Sequence, residues 1–471
     1  MSRAVMSLRR ASPAAGGKPF RGRRASRPHT HEDTVRSAAA WVVERTLASL
    51  APSSVYLESA LQQCEPRDHG LLRELALGTL RWLRRLDHVI ACASHRPFDD
   101  IEPRLHAPLR VAAYQLLFLD RVPAHAVVNE AVEQARGVTH RGGVSFTNAV
   151  LRRIARQPRL RDWPVTSDDK ITRLAIETSH PDFLVRRWLE RFGRARTRAL
   201  LEANNQPKAL HLLTFRDRGG SAPLAEALID RGLTVEPSDL APLGLVVRRG
   251  NPLRSPAYRR GDFYLQDEAS QAAALIPPPQ PGERVLDAAA APGGKSFALL
   301  AVEPSLEPFL ADVSPSRIGT LRANLKRLGR RLPLVVADAG QPAFRGRFDR
   351  VVLDLPCTGT GTLRKHPELK WRISESEIGR LARQSLRLLE GVAPLVRPGG
   401  LLVAITCSLE REENEDVVAR FRRRHPELVP LELAGRLSYP HERWIVGPGL
   451  WQVLPAGDHD GFTVHVLEHR R

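Results

Sequence analysis

Between Gln266 and Ser408, five short apolar runs (RVLDAAA, PFLADVS, PLVVADA, RVVLDLP and LLVAITCS) are mostly separated by stretches with helical spacing, such as SRIGTLRANLKRLG and ESEIGRLARQSLRLLEGVAPLV. This alternation constrains the fold more than any other feature of the chain. Strands divided by helices cannot close as hairpins, so the pattern predicts a parallel sheet with helices on both faces. In such sheets ligands bind beyond the carboxyl ends of the strands. Asp287, Asp312, Asp338, Asp354 and Cys407 all fall at or just after a strand end, so five polar groups are expected to converge on one crevice.

The segment AAAAPGGKS (288–296) joins the first of these strands to its helix. Pro292 and the pair Gly293–Gly294 let the backbone approach a ligand and open the helix with free N–H groups. The GKS ending suggests a phosphate-binding loop, but G-x-x-x-x-G-K-[ST] requires glycine where this chain has Ala289. The segment does not fit G-x-G-x-x-G either. Asp312 ends the second strand about 20 residues further on, where dinucleotide-binding folds place a ribose-binding acid. Asp338 ends the third. An adenosine ligand without a phosphate-binding pattern points to S-adenosylmethionine. Any one of these aspartates reads equally well as a helix cap; together in one crevice they favour the ligand.

Four cysteines occur in the chain, with no C-x-x-C pair, which argues against a zinc site. Cys64 and Cys92 lie in helical surroundings and are expected to be buried and inert. Cys357 and Cys407 instead terminate neighbouring elements of the α/β region, and Cys357 follows Asp354 by three residues. One reaction needs a thiol beside an acid and a methyl donor. Carbon 5 of a pyrimidine is too weak a nucleophile to attack a sulfonium methyl directly. Thiolate addition at carbon 6 makes carbon 5 enamine-like, and a carboxylic acid at N3 assists. A base then removes the carbon 5 proton and the thiolate leaves. Asp354 and one cysteine serve that scheme, and the other cysteine acts in release.

At 471 residues the chain is too long for one hydrophobic core. Residues 1–30 carry eight Lys/Arg and no acid and read as a disordered basic arm. From 31 to 165 the spacing is helical: Val35, Ala39, Val42, Thr46 and Leu50 share one face, as do Leu72, Leu75, Thr79, Leu83, Leu86 and Ile90. Helices are further expected at 104–120, 123–136, 143–157, 168–178 and 181–204. Residues 166–265 read as a helical linker followed by a small α+β connector with strands at KALHLLTF and LGLVVRRG, and 266–471 as the α/β domain. The net charge of +19, with lysine present only seven times, reflects an arginine-rich composition that attracts polyanions. No apolar run approaches the roughly 18–20 residues of a membrane span. Few cysteines and the lack of an export signal point to the cytoplasm.

Taken together, DAAAAPGGKS, DLPCTGTGTLRKHPELKWR, ITCSLEREENED and LPAGDHDGF resemble the RNA cytosine-5 methyltransferases that use two cysteines. In the first half, LLRELALGTLRWLRRLDHVI, HAVVNEAVEQAR and FTNAVLRRI are similar to a NusB-like RNA-binding domain. HPDFLVRRWLERFG, NNQPKAL and FYLQDEASQ resemble the linker of the bacterial 16S rRNA cytosine-5 methyltransferase B family. The resemblance implies an all-α NusB-like domain, a small α+β connector and a Rossmann-like methyltransferase domain. It implies S-adenosylmethionine as cofactor, 16S rRNA as partner, and a monomer without metal. It makes Cys407 the nucleophile and Cys357 the residue of product release. Cofactor contacts fall on Ala289, Ala290, Ala291, Pro292, Gly293, Gly294 and Lys295, and on Asp312, Asp338 and Asp354. The chain departs from the family at Ala289, commonly cysteine, and at Thr463, which tends to be aromatic. Arg364, Lys365, His366, Lys370 and Arg372 follow the Pro-Cys loop and read as contacts to flanking phosphates or as a solvated basic face. The competing functions are the same chemistry on tRNA or another rRNA, a DNA cytosine-5 methyltransferase, and a non-catalytic RNA-binding assembly factor.

Overall fold

The computed structural model of the protein describes residues 34–438 and 440–470; the basic arm expected at 1–30 lies outside them. Helices α1 (Val35–Leu47), α2 (Ser53–Gln63), α3 (His69–Arg81), α4 (Leu83–Ser94), α5 (Pro103–Phe118), α6 (Ala124–Val138) and α7 (Arg141–Arg156) share one apolar core. The expected stripe Leu72, Leu75, Thr79, Leu83, Leu86 and Ile90 is buried, although the helix breaks at Trp82 between α3 and α4. The stripe on α1 holds for Ala39, Val42 and Thr46 but not for Leu50, which lies beyond the helix and is 89% exposed. Cys64 and Cys92 are half-buried against this core rather than enclosed by it.

Helix α8 (Lys170–Glu177) is capped by Asp169, whose carboxylate accepts from the amides of Ile171 and Thr172. Helix α9 (Asp182–Ala203) is not the single rod that the spacing suggests. Gly193 adopts φ 74°, ψ 172°, a conformation open to glycine, and divides it into two segments. The connector follows: β1 (Leu210–Thr214), α10 (Ser221–Ile229), β2 (Thr234–Pro237), β3 (Gly244–Arg249), α11 (Pro256–Arg260) and β4 (Phe263–Leu265). Its four strands form an antiparallel sheet in the order β2-β3-β1-β4. β2 and β4 were not visible in the sequence, being too short to show alternation.

After α12 (Glu268–Ala274) come β5 (Arg284–Asp287), α13 (Gly294–Val302), β6 (Glu307–Asp312), α14 (Pro315–Arg327), β7 (Leu334–Val336), β8 (Phe348–Asp354), α15 (Glu375–Val392), β9 (Val396–Thr406) and α16 (Glu415–Arg424). Four further strands complete the sheet: β10 (Leu428–Pro430), β11 (Ile445–Gly447), β12 (Leu450–Val453) and β13 (Phe462–His469). The parallel part runs β9-β8-β5-β6-β7. The chain therefore reverses its direction of growth between β5 and β8, and a crevice opens at that switch point. The sheet is mixed rather than wholly parallel. β13 pairs antiparallel with β9, and β12, β11 and β10 extend from it.

The segment after the Pro-Cys loop bolts this sheet domain to the helices. Lys370 is fully buried and donates to the carbonyls of Arg81 (3.2 Å) and Ser179 (3.2 Å) and to Asn205 Oδ1 (2.6 Å). Burial, then the charge of Arg81, drives its ammonium well below the ordinary lysine pKa. Trp371 Nε1 donates to Leu80 O (2.8 Å), and Arg372 reaches the carbonyls of Thr46 (2.6 Å) and Ala51 (2.7 Å). Arg364, 1% exposed, donates to Ala203 O (2.9 Å) and Gly457 O (2.7 Å). Arg364, Lys370 and Arg372 thus serve neither as a solvated face nor as phosphate contacts. Lys370→Ala removes three hydrogen bonds, strands their acceptors and opens a void, at an expected cost of about 3 kcal/mol. Urea denaturation measures it; an unchanged midpoint would mean that the ammonium holds nothing together.

Candidate active site

Two loops beyond adjacent parallel strands bring the cysteines together. Cys357 lies three residues past β8 and Cys407 one residue past β9, and their sulfurs stand 3.5 Å apart. The hydrogen bond to Cys407, then burial and neighbouring negative charge, pushes the Cys357 thiol well above its ordinary pKa. Cys357 therefore keeps its proton at neutral pH. The two sulfurs are within hydrogen-bond reach, and either can donate.

Backbone contacts fix the two loops. Gly361 N donates to Cys407 O (2.8 Å), and Gly461 N donates to Gly361 O (2.7 Å). A Cβ on Gly361 would stand 2.3 Å from Gly461 O and 2.9 Å from Cys407 O, so no side chain fits there. Glu413 adds a side-chain tie. Its carboxylate accepts from Thr358 N (2.9 Å), Thr358 Oγ1 (2.6 Å) and Ser408 Oγ (2.5 Å), joining the residue after each cysteine. Burial outweighs these hydrogen bonds and raises Glu413 to about 7. Asn414 accepts from Thr406 Oγ1 (2.6 Å) and donates to Ser408 O (3.1 Å). Nothing in the sequence itself distinguishes Glu413 and Asn414 from their neighbours in the acidic run EREENED.

The strand-end aspartates divide by environment. Asp287, 1% exposed, turns onto α13 and accepts from Ser296 Oγ (2.6 Å), and burial raises it to about 6. Asp312, also buried, accepts from the amides of Ala291 (3.2 Å) and Ser314 (2.9 Å). Asp338 pairs with Arg387 (2.9 Å) and accepts from Gly340 N (2.8 Å), and the Arg387 hydrogen bond lowers its pKa. Asp354 Oδ2 takes Lys295 Nζ at 3.0 Å while the side chain stays 40% exposed at the crevice. Burial works against the charge of Lys295, but Asp354 outweighs it and raises the lysine pKa. Lys295 also donates to Ser270 Oγ (3.2 Å) and lies 5.1 Å from the centre of the Phe462 ring.

The loop at 289–293 brings Ala289, Ala290 and Ala291 against the strand ends. Their amides donate to Asp287 Oδ1 (3.4 Å), Ala311 O (2.8 Å) and Asp312 Oδ2 (3.2 Å). Pro292 follows, and Gly293 adopts φ 118°, with no room for a Cβ beside Phe297. Gly294 and Lys295 open α13, whose first-turn amides lack acceptors within the helix. Thr463 is fully buried and donates to Ser408 O (2.9 Å), so it supports the Thr-Cys loop from behind. His366 is lowered to about 4 by burial and then by Lys365 and Lys208, which keeps it neutral at pH 7. Among the described residues no cluster of three or more His, Cys, Asp or Glu forms a metal site, and no helix is long and apolar enough to cross a membrane.

Comparison with known proteins finds three family models along the chain: NusB family over 34–156, the ferredoxin-like domain of RsmF/B-like methyltransferases over 180–254, and 16S rRNA methyltransferase RsmB/F over 274–467. The chain is 34% identical to the ribosomal RNA small subunit methyltransferase B of Pseudomonas syringae, covering 91% of this chain and 95% of that protein. It is 32% identical to the probable ribosomal RNA small subunit methyltransferase B of Bacillus subtilis, over 90% and 95%. The crystal structure of PH0851 superposes with a TM-score of 0.75 at 26% identity, over 92% of this chain and 99% of that one. NSun6 from Pyrococcus horikoshii with SFG shares the fold, with a TM-score of 0.54 at 20% identity over 62% of this chain and 98% of that one.

Glu413 gives the site a pH signature. Its folded pKa of about 7 exceeds the ordinary 4.5, so between those values the folded state holds a proton that the unfolded chain has lost. Its contribution to stability therefore falls as pH rises through that window and levels off above it. Glu413→Gln cannot ionise and should lose less stability than wild type between pH 5 and 7, by on the order of 2 kcal/mol. Denaturation at a series of pH values tests this, and parallel profiles for the two proteins would refute it.

Proposed function

The chain belongs to the 16S rRNA methyltransferase RsmB/F family, and on that premise we propose that it methylates carbon 5 of a cytosine in small-subunit rRNA through a covalent adduct on Cys407. S-adenosylmethionine is the cofactor; when bound it supplies an electrophilic sulfonium methyl. The crevice fits such a molecule. Asp312 and Asp338 offer carboxylate oxygens to hydroxyl and amino groups, the α13 amides suit a carboxylate, and the 289–293 loop permits close approach. Lys295 and Asp354 stand at the mouth, where methyl donor and base meet.

The observation that carries the proposal is the thiol pair: two sulfurs 3.5 Å apart, one of them held protonated. Cys407 adds to carbon 6 of the cytosine as its thiolate, the thiol proton passing to solvent. Asp354, protonated for this step beside Lys295, donates its proton to N3 and recovers it when the adduct collapses. Carbon 5 then takes the methyl group. Loss of the carbon 5 proton to a base and departure of Cys407 Sγ from carbon 6 restore the aromatic ring. Cys357, beside that sulfur, acts in this release. The base must leave its stack to reach the crevice, which costs a few kcal/mol at most and less in an unpaired loop. The enzyme acts as a cytoplasmic monomer. A purely structural RNA-binding role would not require two thiols in contact beyond the carboxyl ends of β8 and β9.

Purified wild type, Cys407→Ala and Cys357→Ala, incubated with S-adenosylmethionine and unmodified 16S rRNA, separate the roles. Cys407→Ala should lower methylcytosine formation by about 10⁴-fold or more, as loss of a nucleophile does. Cys357→Ala should accumulate an RNA adduct that survives denaturant. Methylation by Cys407→Ala would sink the assigned nucleophile. Wild type that modifies tRNA and ignores 16S rRNA would sink the substrate.

A further inference from the structure

The helical domain, the connector and the loop after the Pro-Cys turn meet around a cavity of about 480 Å³. Its walls come from α3 of the first, β1 and β4 of the second, and Arg364 and Lys365 of the third. The volume lies within the roughly 300–1,000 Å³ of small-ligand sites. Three residues lining it are 9% exposed or less, yet keep a polar atom without a hydrogen-bond partner: Arg81 Nε, Arg364 Nη2 and Gln266 Oε1. The ring nitrogens of His211, also in the lining, stand 3.5 and 3.6 Å from the carboxylates of Asp267 and Glu268. Buried polar groups are normally satisfied, so three such residues behind one cavity make its lining polar rather than apolar.

Charge narrows the choice. Lys208 is already paired with Asp267 (3.0 Å) and Asp460, and Glu74 accepts from Tyr114 (2.5 Å). Arg73 on α3 and Lys365 on the opposite wall are exposed, and their side chains make no hydrogen bond or ion pair among the described residues. Leu77, Pro207 and Leu265 add an apolar side. Two free cations with an apolar wall suit a nucleotide: phosphate between the cations, base against the apolar side.

The cavity also connects with the thiol site. Gln266 Nε2 donates to Ser270 Oγ (3.2 Å), Lys295 donates to the same oxygen (3.2 Å), and Lys295 pairs with Asp354. Lys365 N donates to Thr362 O (3.0 Å), within the turn that carries Cys357, and burial, then the charge of Lys208, lowers the pKa of its ammonium. We propose that this cavity seats a nucleotide flanking the methylated cytosine, its phosphodiester held between Arg73 and Lys365. The helical domain thereby forms half of a substrate site rather than a distant tether. This rests on the RNA methyltransferase reading above.

The full chain carrying Arg73→Ala, Lys365→Ala or both tests the proposal, with a fragment of unmodified 16S rRNA as probe. Each single variant should raise the KM for RNA about tenfold and lower the slope of log affinity against log salt by about one. Affinity for S-adenosylmethionine should stay that of wild type. Methylation with wild-type KM and salt slope in both variants would overturn the site and leave the methyl-transfer reading intact. RNA binding that depends on both residues without any methyl transfer by wild type would uphold the site and sink that reading. Cytidine monophosphate binding that depends on them while RNA affinity ignores them would overturn the proposal in favour of a free nucleotide.

Discussion

Backbone carbonyls hold the buried cations that join the segment after the Pro-Cys loop to the helices. Arg364, Lys370 and Arg372 reach carbonyl oxygens on α1, α3, the α8–α9 turn, the end of α9 and the loop before β13. A buried cation left without acceptors is costly, so each of these side chains holds in place the backbone that it touches. Glu368 strengthens the junction by accepting from Ser53 N at 3.1 Å. The segment that begins at the Pro-Cys loop therefore cannot shift without disturbing the helices. The cysteine loop and the helical domain are one mechanical unit.

Within that unit, charge is rationed. Burial raises Asp287 to about 6 and Glu413 to about 7, so at pH 7 Asp287 is largely ionised and Glu413 about half protonated, whereas Asp354 faces the crevice with Lys295 as its partner. Burial thus reduces the negative charge of Glu413, which touches both cysteine loops. Motifs distant in sequence also meet. Lys208 of NNQPKAL, Asp267 of FYLQDEASQ and Asp460 of DHDGF form a single ion cluster, which sets the connector against the end of the sheet.

The parallel strands were legible because each is a compact apolar run ending in an acid or a cysteine, as at Asp287, Asp354 and Cys407. The antiparallel extension was not: β10 and β11 have three residues each, too few for alternation to register, and the longer β13 is buried on both faces over six of its eight residues, so it shows no clean alternation. The break at Gly193 was hidden by continuous amphipathic spacing on either side. The basic run 364–372 was misleading for another reason: composition reports that a side chain is charged, not whether it faces water or a cage of carbonyls. Lys365 and Lys370 are five residues apart and read alike, yet one is exposed and the other fully buried. Glu413 was concealed in the same way within its acidic run.

The backbone lacing of the cysteine loops bears on how the protein forms. Gly361 bonds to Cys407 and Gly461, partners that lie 46 and 100 residues further along the chain, and β9 takes β13 as its neighbour across a comparable gap. Contacts of such separation form slowly, since loop closure must precede any gain. A ribosome adding about 5–20 residues per second exposes the Pro-Cys loop several seconds before Gly461 exists. Until then Cys357 and Cys407 have no fixed relation, and the nascent chain can present a folded helical domain while remaining chemically silent. Competence arrives late and all at once, in the closing of the sheet rather than in any local turn.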